Sequence, residues 1–297
     1  MTISAVLFAF MAITLRLATR HVSSFEAGFF RSLFGLIFSL PLLIRPGFAL
    51  LRTAHFRLYA LRSVFGTLAM LASFWAIAHL PLATAVSISY STPLFVTVGA
   101  VFLLGEVVRA RRWSAIVIGF VGVLVIMRPG AASGSLGSAA FDMLVALAGA
   151  AIAAGSYISI KFLSRTEPAD AVVIYMSLIM TPLSLIPALF AWNWPDAAGW
   201  LWVVLTGLLA TCGQVFMTRA YQAGDVSALI PINFIQLPIV AVCAWFAFGQ
   251  SLDATTAIGA GIIIAANIYI ARREAMLARR IVSDPLVAPS ESGQSGG

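Results

Sequence analysis

This sequence predicts an all-α polytopic membrane protein, with ten transmembrane helices arranged as two inverted five-helix repeats. Three observations carry that expectation. The first is composition: of 297 residues, 61% are hydrophobic and 10% charged, with a mean hydropathy of +1.00. A soluble domain carries about 25% charged residues. The second is a succession of ten apolar segments, most of them near the roughly 20 residues that a spanning helix needs. The third is that the second half of the chain repeats the first.

The segments fall at about 2–19, 25–44, 57–79, 82–104, 112–128, 140–161, 169–191, 198–219, 226–248 and 253–271. The fifth is short for a span. Met1 leads directly into an apolar run with no basic stretch and no small-residue cleavage site. No cleaved signal peptide is expected, and a cytoplasmic piece upstream of Met1 is expected to be missing. Residues 129–139, P-G-A-A-S-G-S-L-G-S-A, form the most flexible connector. The expected units are therefore a first repeat over 1–130, a second over 140–273, and a disordered cytoplasmic tail over 281–297, polar and rich in Gly and Ser.

Charge sets the expected orientation. With the N-terminus inside, 14 of the Lys and Arg residues fall at inner ends, and only Arg20 and Arg128 at outer ends. The inner set includes Arg62. An excess of this kind marks the cytoplasmic side, so both termini are expected there. A pI near 10.1 thus reads as a topology signal and not as a nucleic-acid patch. Cys212 and Cys243 lie inside apolar segments and are expected to be free thiols.

A shift of about 143–145 residues lays the second half on the first. Ala83-Thr84-Ala85 falls on Val226-Ser227-Ala228, Pro93 on Pro238, and Leu104-Gly105-Glu106 on Phe248-Gly249-Gln250. Five spans per half is an odd number, so the second copy is inserted upside down. Inverted repeats about an axis in the membrane plane are a transporter architecture, with the site at midplane where the repeats meet.

The stretch from Trp75 to Glu106 centres the first repeat. Its span over 82–104 carries Ser87, Ser89, Tyr90, Ser91, Thr92 and Pro93 in the middle. Pro93 lacks an N–H and is expected to kink the helix. Polar groups in hydrocarbon are costly and should turn toward protein or a water-filled cavity. The second repeat answers with Pro231, Asn233, Gln236 and Pro238.

Several of these runs resemble the EamA type of the drug/metabolite transporter superfamily. They are Phe30-Arg31, Leu80-Pro81-Leu82-Ala83-Thr84-Ala85, Pro93-Leu94-Phe95 and Phe102-Leu103-Leu104-Gly105-Glu106. Gly119-Phe120-Val121-Gly122-Val123 and Ala220-Tyr221-Gln222-Ala223-Gly224 belong with them. The resemblance covers essentially the whole chain. It implies a ten-helix inner-membrane exporter of small metabolites, most similar to the bacterial amino-acid exporter branch, which includes aromatic-amino-acid exporters. Gln250 departs from the repeat pattern, standing where the first repeat has Glu106.

The expected substrate-binding residues are Tyr90, Asn233, Gln236, His79, Ser87, Ser91, Arg31, Trp75, Gln214 and Tyr157, with Pro93, Pro231 and Pro238 as hinges. Hydroxyl and amide groups at midplane suit a zwitterion, although Ser and Asn also join helices to one another. Arg31 lies about 9 Å into the second span at 1.5 Å per residue. It either meets substrate or snorkels outward with help from Glu26, whereas Arg16, three residues from an end, is expected to snorkel. His79 ends the third span and is the one candidate titrating group near the outer gate. The tryptophans otherwise read as an interfacial belt.

No carboxylate is expected at midplane, so a facilitator running down the substrate gradient is expected rather than a proton antiporter. No catalytic set, cofactor or metal site is expected, since the three His sit at segment ends and no Cys/His cluster exists. The expected partners are a small-molecule substrate such as an amino acid and the lipid bilayer, with no nucleic acid, and the chain is expected to be a monomer or weak homodimer. Four-residue ladders of small residues in the sixth span (Ala146, Ala150, Ala154) favour close helix approach. Ala115 with Gly119, and Gly261 with Ala265, leave open whether they pack within the fold or form a dimer face.

Overall fold

The computed structural model describes residues 1–44, 53, 55–104, 110–127, 136–163, 167–223 and 229–282. These residues are helical almost throughout. The helices are α1 (Thr2–Ala18), α2 (Ser24–Ser39), α3 (Phe56–His79), α4 (Leu82–Ser89), α5 (Thr92–Leu104), α6 (Ala110–Met127), α7 (Leu136–Leu163), α8 (Ala169–Leu189), α9 (Ala197–Ala223), α10 (Gln236–Phe248) and α11 (Ala254–Val282), with 3-10 turns at Leu40–Leu43 and Ile230–Ile235. Among the described residues, seven stretches are long and apolar enough to cross a membrane, and Thr2–Ala18, Trp113–Met127 and Ile232–Phe248 are shorter apolar helices. Large apolar side chains point outward, Phe190 at 88% and Phe102 and Phe246 at 76% exposure, as lipid contact requires.

The packing partners obey the repeat. Under the 144-residue shift, α3 packing on α7 maps onto α9 packing on α1, and both pairs are in close contact. The pairs α2–α8 and α6–α11 map onto themselves, and both sit in close contact. This pattern is that of a pseudo-two-fold axis relating two inverted repeats. Small residues make the close approaches possible. A Cβ on Gly149 would lie 2.7 Å from the Ala72 Cβ, which seats α7 on α3. A Cβ on Gly259 would lie 2.6 Å from the Gly122 carbonyl oxygen, which seats α11 on α6. Ala115 and Gly119 face inward, whereas Gly261 opens onto free space.

The expected segments and the observed helices differ in three places. The fourth span is not one kinked helix: it breaks at Tyr90–Ser91, and α5 starts afresh at Thr92. Pro93 is the second residue of α5, where a missing N–H costs nothing. The ninth span likewise breaks after the 3-10 turn at Ile230–Ile235, with Pro231 at its start and Pro238 in the first turn of α10. These two breaks are equivalent under the repeat. The last helix runs to Val282, so Arg272, Arg273, Arg279 and Arg280 are helical and the expected tail loses its first two residues. The rest of that tail, Glu106, Arg128 and most of the 129–139 connector lie outside the described residues.

Capping explains the ends that are well built. Ser23 and Glu26 form a reciprocal capping box at the start of α2. The Leu82 N–H at the start of α4 donates to Gln250 Oε1 at 3.0 Å. Gln250 thus caps a helix of the opposite repeat, which gives the departure from Glu106 a structural role.

Candidate functional site

The two helix breaks meet. The Tyr90 hydroxyl donates to the Asn233 carbonyl at 3.2 Å, and its ring sits edge-on against Phe234 at 5.0 Å between centroids. The helix break diverts one donor: the Leu94 N–H turns to the Ser91 carbonyl at 3.0 Å instead of continuing the ladder to Tyr90. The Tyr90 carbonyl is left without a helical donor. Asn267 of α11, 2% exposed, donates its Nδ2 to that carbonyl at 2.8 Å. A buried carbonyl with no partner costs about 1–3 kcal/mol, so Asn267 is what allows α4 to break inside the bundle. It was not among the expected residues. The available signal was a lone Asn in the middle of the apolar run A-A-N-I-Y-I.

A second polar group lies between α2, α8 and α9. Arg31 and Gly35, Met176 and Ser177, and Thr211 and Gln214 line a thin cleft. It is too narrow to admit a water-sized sphere. Arg31 donates to the Met70 sulfur at 3.7 Å and has no carboxylate partner among the described residues. Glu26 does not serve Arg31. One of its carboxylate oxygens closes the capping box and the other accepts from the Asn193 N–H. Gln214 is 7% exposed, with its amide 3.4 Å from the Thr218 hydroxyl.

The remaining expected residues fall into three settings. Ser87 and Ser91 are fully buried and donate to the carbonyls of Ala83 and Ile88 on their own chain turn. Gln236 opens α10 and is half-buried, while Tyr157 on α7 is 39% exposed. Trp75 and His79 stack at 4.1 Å, with His79 Nδ1–H donating to the Trp75 carbonyl at 2.9 Å. Trp75 Nε1 donates to Asp142 Oδ1 at 2.7 Å, joining α3 to α7. Asp142 is therefore buried, at 8% exposure, and not a free surface acid.

Two arginines behave differently from the expectation. Arg16 does not snorkel: its guanidinium donates to the Ile77 carbonyl in the last turn of α3, where a cation is favoured by the exposed carbonyl ends. Arg62 is not a surface topology charge: it is 2% exposed.

The opposite end of α3 carries a latch. Glu167, between α7 and α8, accepts from Thr53 at 2.6 Å and lies 3.1 Å from His55 Nδ1. Arg219 of α9 pairs with Asp170 of α8 at 3.3 Å. Burial pushes the Glu167 carboxyl up, but the Thr53 and His55 hydrogen bonds, the facing Tyr59 hydroxyl and the His55 charge outweigh it and hold the carboxyl below its ordinary value. A carboxyl lowered on folding stabilises above its unfolded value of about 4.3 and loses that contribution as pH falls through its folded value. The expected result is that Glu167→Gln melts below wild type at pH 7 and that the gap closes below about pH 4. Thermal unfolding of the detergent-solubilised pair across that range checks it.

Comparison with known proteins agrees with the two-repeat fold. The sequence pattern of the EamA-like transporter family matches residues 1–128 and again 140–272. A riboflavin transporter of Brucella anthropi is 29% identical over 264 residues, covering 87% of this chain and 91% of the relative. An S-adenosylmethionine uptake transporter of Rickettsia prowazekii is 29% identical, covering 86% and 84%. A pseudopaline exporter of Pseudomonas aeruginosa is 29% identical, covering 89% and 92%. A crystal structure with 22% identity superposes with a TM-score of 0.62 over 94% of this chain and 99% of that one, which speaks to the fold. With a family match across both repeats, the chain belongs to the EamA-like transporter family of the drug/metabolite transporter superfamily.

Proposed function

We propose that this transporter moves a small zwitterionic metabolite, with amino acids as the class, by alternating access and down the substrate gradient, so that a cell overproducing the solute exports it. The observation that carries this reading is Arg31. It lines the cleft beside Gln214, Ser177 and Thr211 with no carboxylate opposite it among the described residues. An Arg fork in a dry site selects a carboxylate, and the amide and hydroxyls suit an ammonium or other polar groups. The relatives named above all carry small metabolites, two of them inward and outward respectively by name, which fits a cycle whose direction the gradient sets.

The closed cleft supports a cycle in which helices must part for substrate to enter. Trp75, His79 and Asp142 hold one end of α3 against α7. Thr53, His55, Glu167, Asp170 and Arg219 hold the other end together. Opening one set while the other stays shut is alternating access, and the breaks at Tyr90 and at Ile230–Ile235 are the flexible points. The excess of Lys and Arg at that end supports a cytoplasmic latch, with both termini on the same side.

Counterflow into proteoliposomes tests the reading, using labelled amino acids, riboflavin and S-adenosylmethionine, each with and without an imposed pH gradient. Exchange of amino acids that is indifferent to the pH gradient is the expected result. Movement of riboflavin or S-adenosylmethionine alone overturns the substrate class. Accumulation that requires the pH gradient and is lost in His79→Ala overturns the facilitator.

A further inference from the structure

A second guanidinium has no counter-charge among the described residues. Arg62 on α3 is 2% exposed, its Nε has no hydrogen-bond partner, and no ion pair joins it to a carboxylate among the described residues. One residue on, Ser63 is fully buried, and its hydroxyl oxygen is also without a partner. Two of the few orphaned buried polar atoms therefore occur side by side on one turn of one helix. Buried charges are normally paired, because taking an ion out of water costs several kcal/mol unless another charge or several hydrogen bonds compensate it.

Arg62 is also not remote from the cleft. A Cβ on Gly66, one turn on from Arg62, would lie 3.6 Å from the Met180 sulfur of α8, and a Cβ on Gly35, one turn on from Arg31, would lie 3.4 Å from the Ser177 hydroxyl of the same helix. One turn of α8 joins the two places. Tyr175 stacks on Tyr59, one turn before Arg62, at 4.4 Å, while its neighbours Met176 and Ser177 line the Arg31 cleft. Glu167 does not neutralise Arg62, because it is held by Thr53 and His55.

We propose that Arg31 and Arg62 form a two-point cation site, and that the solute carries two carboxylates, one for each guanidinium. The inference rests on the reading of Arg31 as a carboxylate site and narrows the substrate from amino acids at large to acidic ones. The argument is a charge count. Two like charges that feel each other inside a dry bundle raise one another's energy. A solute with one carboxylate compensates one of them and leaves the other exposed to that cost. A solute with two carboxylates compensates both. Arginine suits this role because its fork binds a carboxylate through two parallel hydrogen bonds.

The test uses glutamate and alanine as probes in proteoliposomes holding wild type, Arg62→Gln and Arg62→Lys. Wild type is expected to exchange glutamate at least about tenfold more efficiently than alanine. Arg62→Gln should cut glutamate exchange about tenfold or more, the scale of a lost charged hydrogen bond, and change alanine less than about twofold. Arg62→Lys should keep part of the glutamate preference, since the charge remains and the fork is lost. Glutamate should also raise the melting midpoint of solubilised wild type but not of Arg62→Gln. Equal losses of both solutes in Arg62→Gln, or no loss of either, overturn the inference. Equal exchange of alanine and glutamate by wild type, with both dependent on Arg31, overturns the two-carboxylate site and leaves the zwitterion reading standing. Exchange of neither solute overturns both.

Discussion

Arg31→Gln is expected to cut transport about 10- to 100-fold while the protein still inserts and folds. Arg31 is the cationic member of the cleft between α2, α8 and α9, and the protein contact recorded for its guanidinium is the weak one to the Met70 sulfur at 3.7 Å. The fold therefore gains little from the charge, and removing it relieves a desolvation cost. A carboxylate entering the cleft would lose a charged, forked interaction. Such bonds contribute about 1.5–3 kcal/mol each, which is one to two decades in rate or affinity. Gln is shorter but keeps a polar N–H donor and removes the charge. Arg31→Lys should retain part of the activity, with affinity falling more than maximal rate. Initial rates over a range of substrate concentrations, beside melting curves of the same preparations, check this. A variant that melts well below wild type, or one that transports normally, would remove Arg31 from the substrate path.

Asn267→Leu is expected to destabilise the protein by about 1–3 kcal/mol and to impair transport as a consequence. The side chains are of similar size, so little cavity opens. What is lost is the Nδ2 donor to the Tyr90 carbonyl at 2.8 Å, leaving a buried acceptor without a partner. The gain from removing the orphaned Asn267 Oδ1 offsets part of that cost. Pro93→Ala should partly rescue the variant, because it restores an N–H and lets α4 and α5 join as one helix. A double-mutant cycle on Asn267 and Pro93, read by thermal unfolding, measures the coupling. Additive effects would mean that Asn267 acts elsewhere. The rescued double variant should still transport poorly, since a continuous helix removes a flexible point.

The fold was largely written in the order of residues. Ten apolar runs in an apolar chain leave helices as the only way to satisfy the backbone in lipid. The odd number of spans per repeat then dictates inversion, and the proline matched across the repeats marks where both helices break. What chain order could not show was which polar side chain meets which orphaned group, because those partners are far apart in sequence. Asn267 is 177 residues from Tyr90, and its role depends on α11 lying against the break. Arg16 and Arg62 were misplaced for the same reason. Distance from a span's end is a one-dimensional measure of depth, while burial depends on the neighbours. Arg16 finds the open carbonyl end of α3, and Arg62 is enclosed by its neighbouring helices. Gln250 looked like a lost acid in the repeat and is instead the cap of α4. Composition and periodicity determined that the helices cross the membrane and how the repeats are set. Tertiary packing alone decided which buried charges meet a protein partner among the described residues and which do not, because that depends on three-dimensional proximity in a medium where an unpaired charge is expensive.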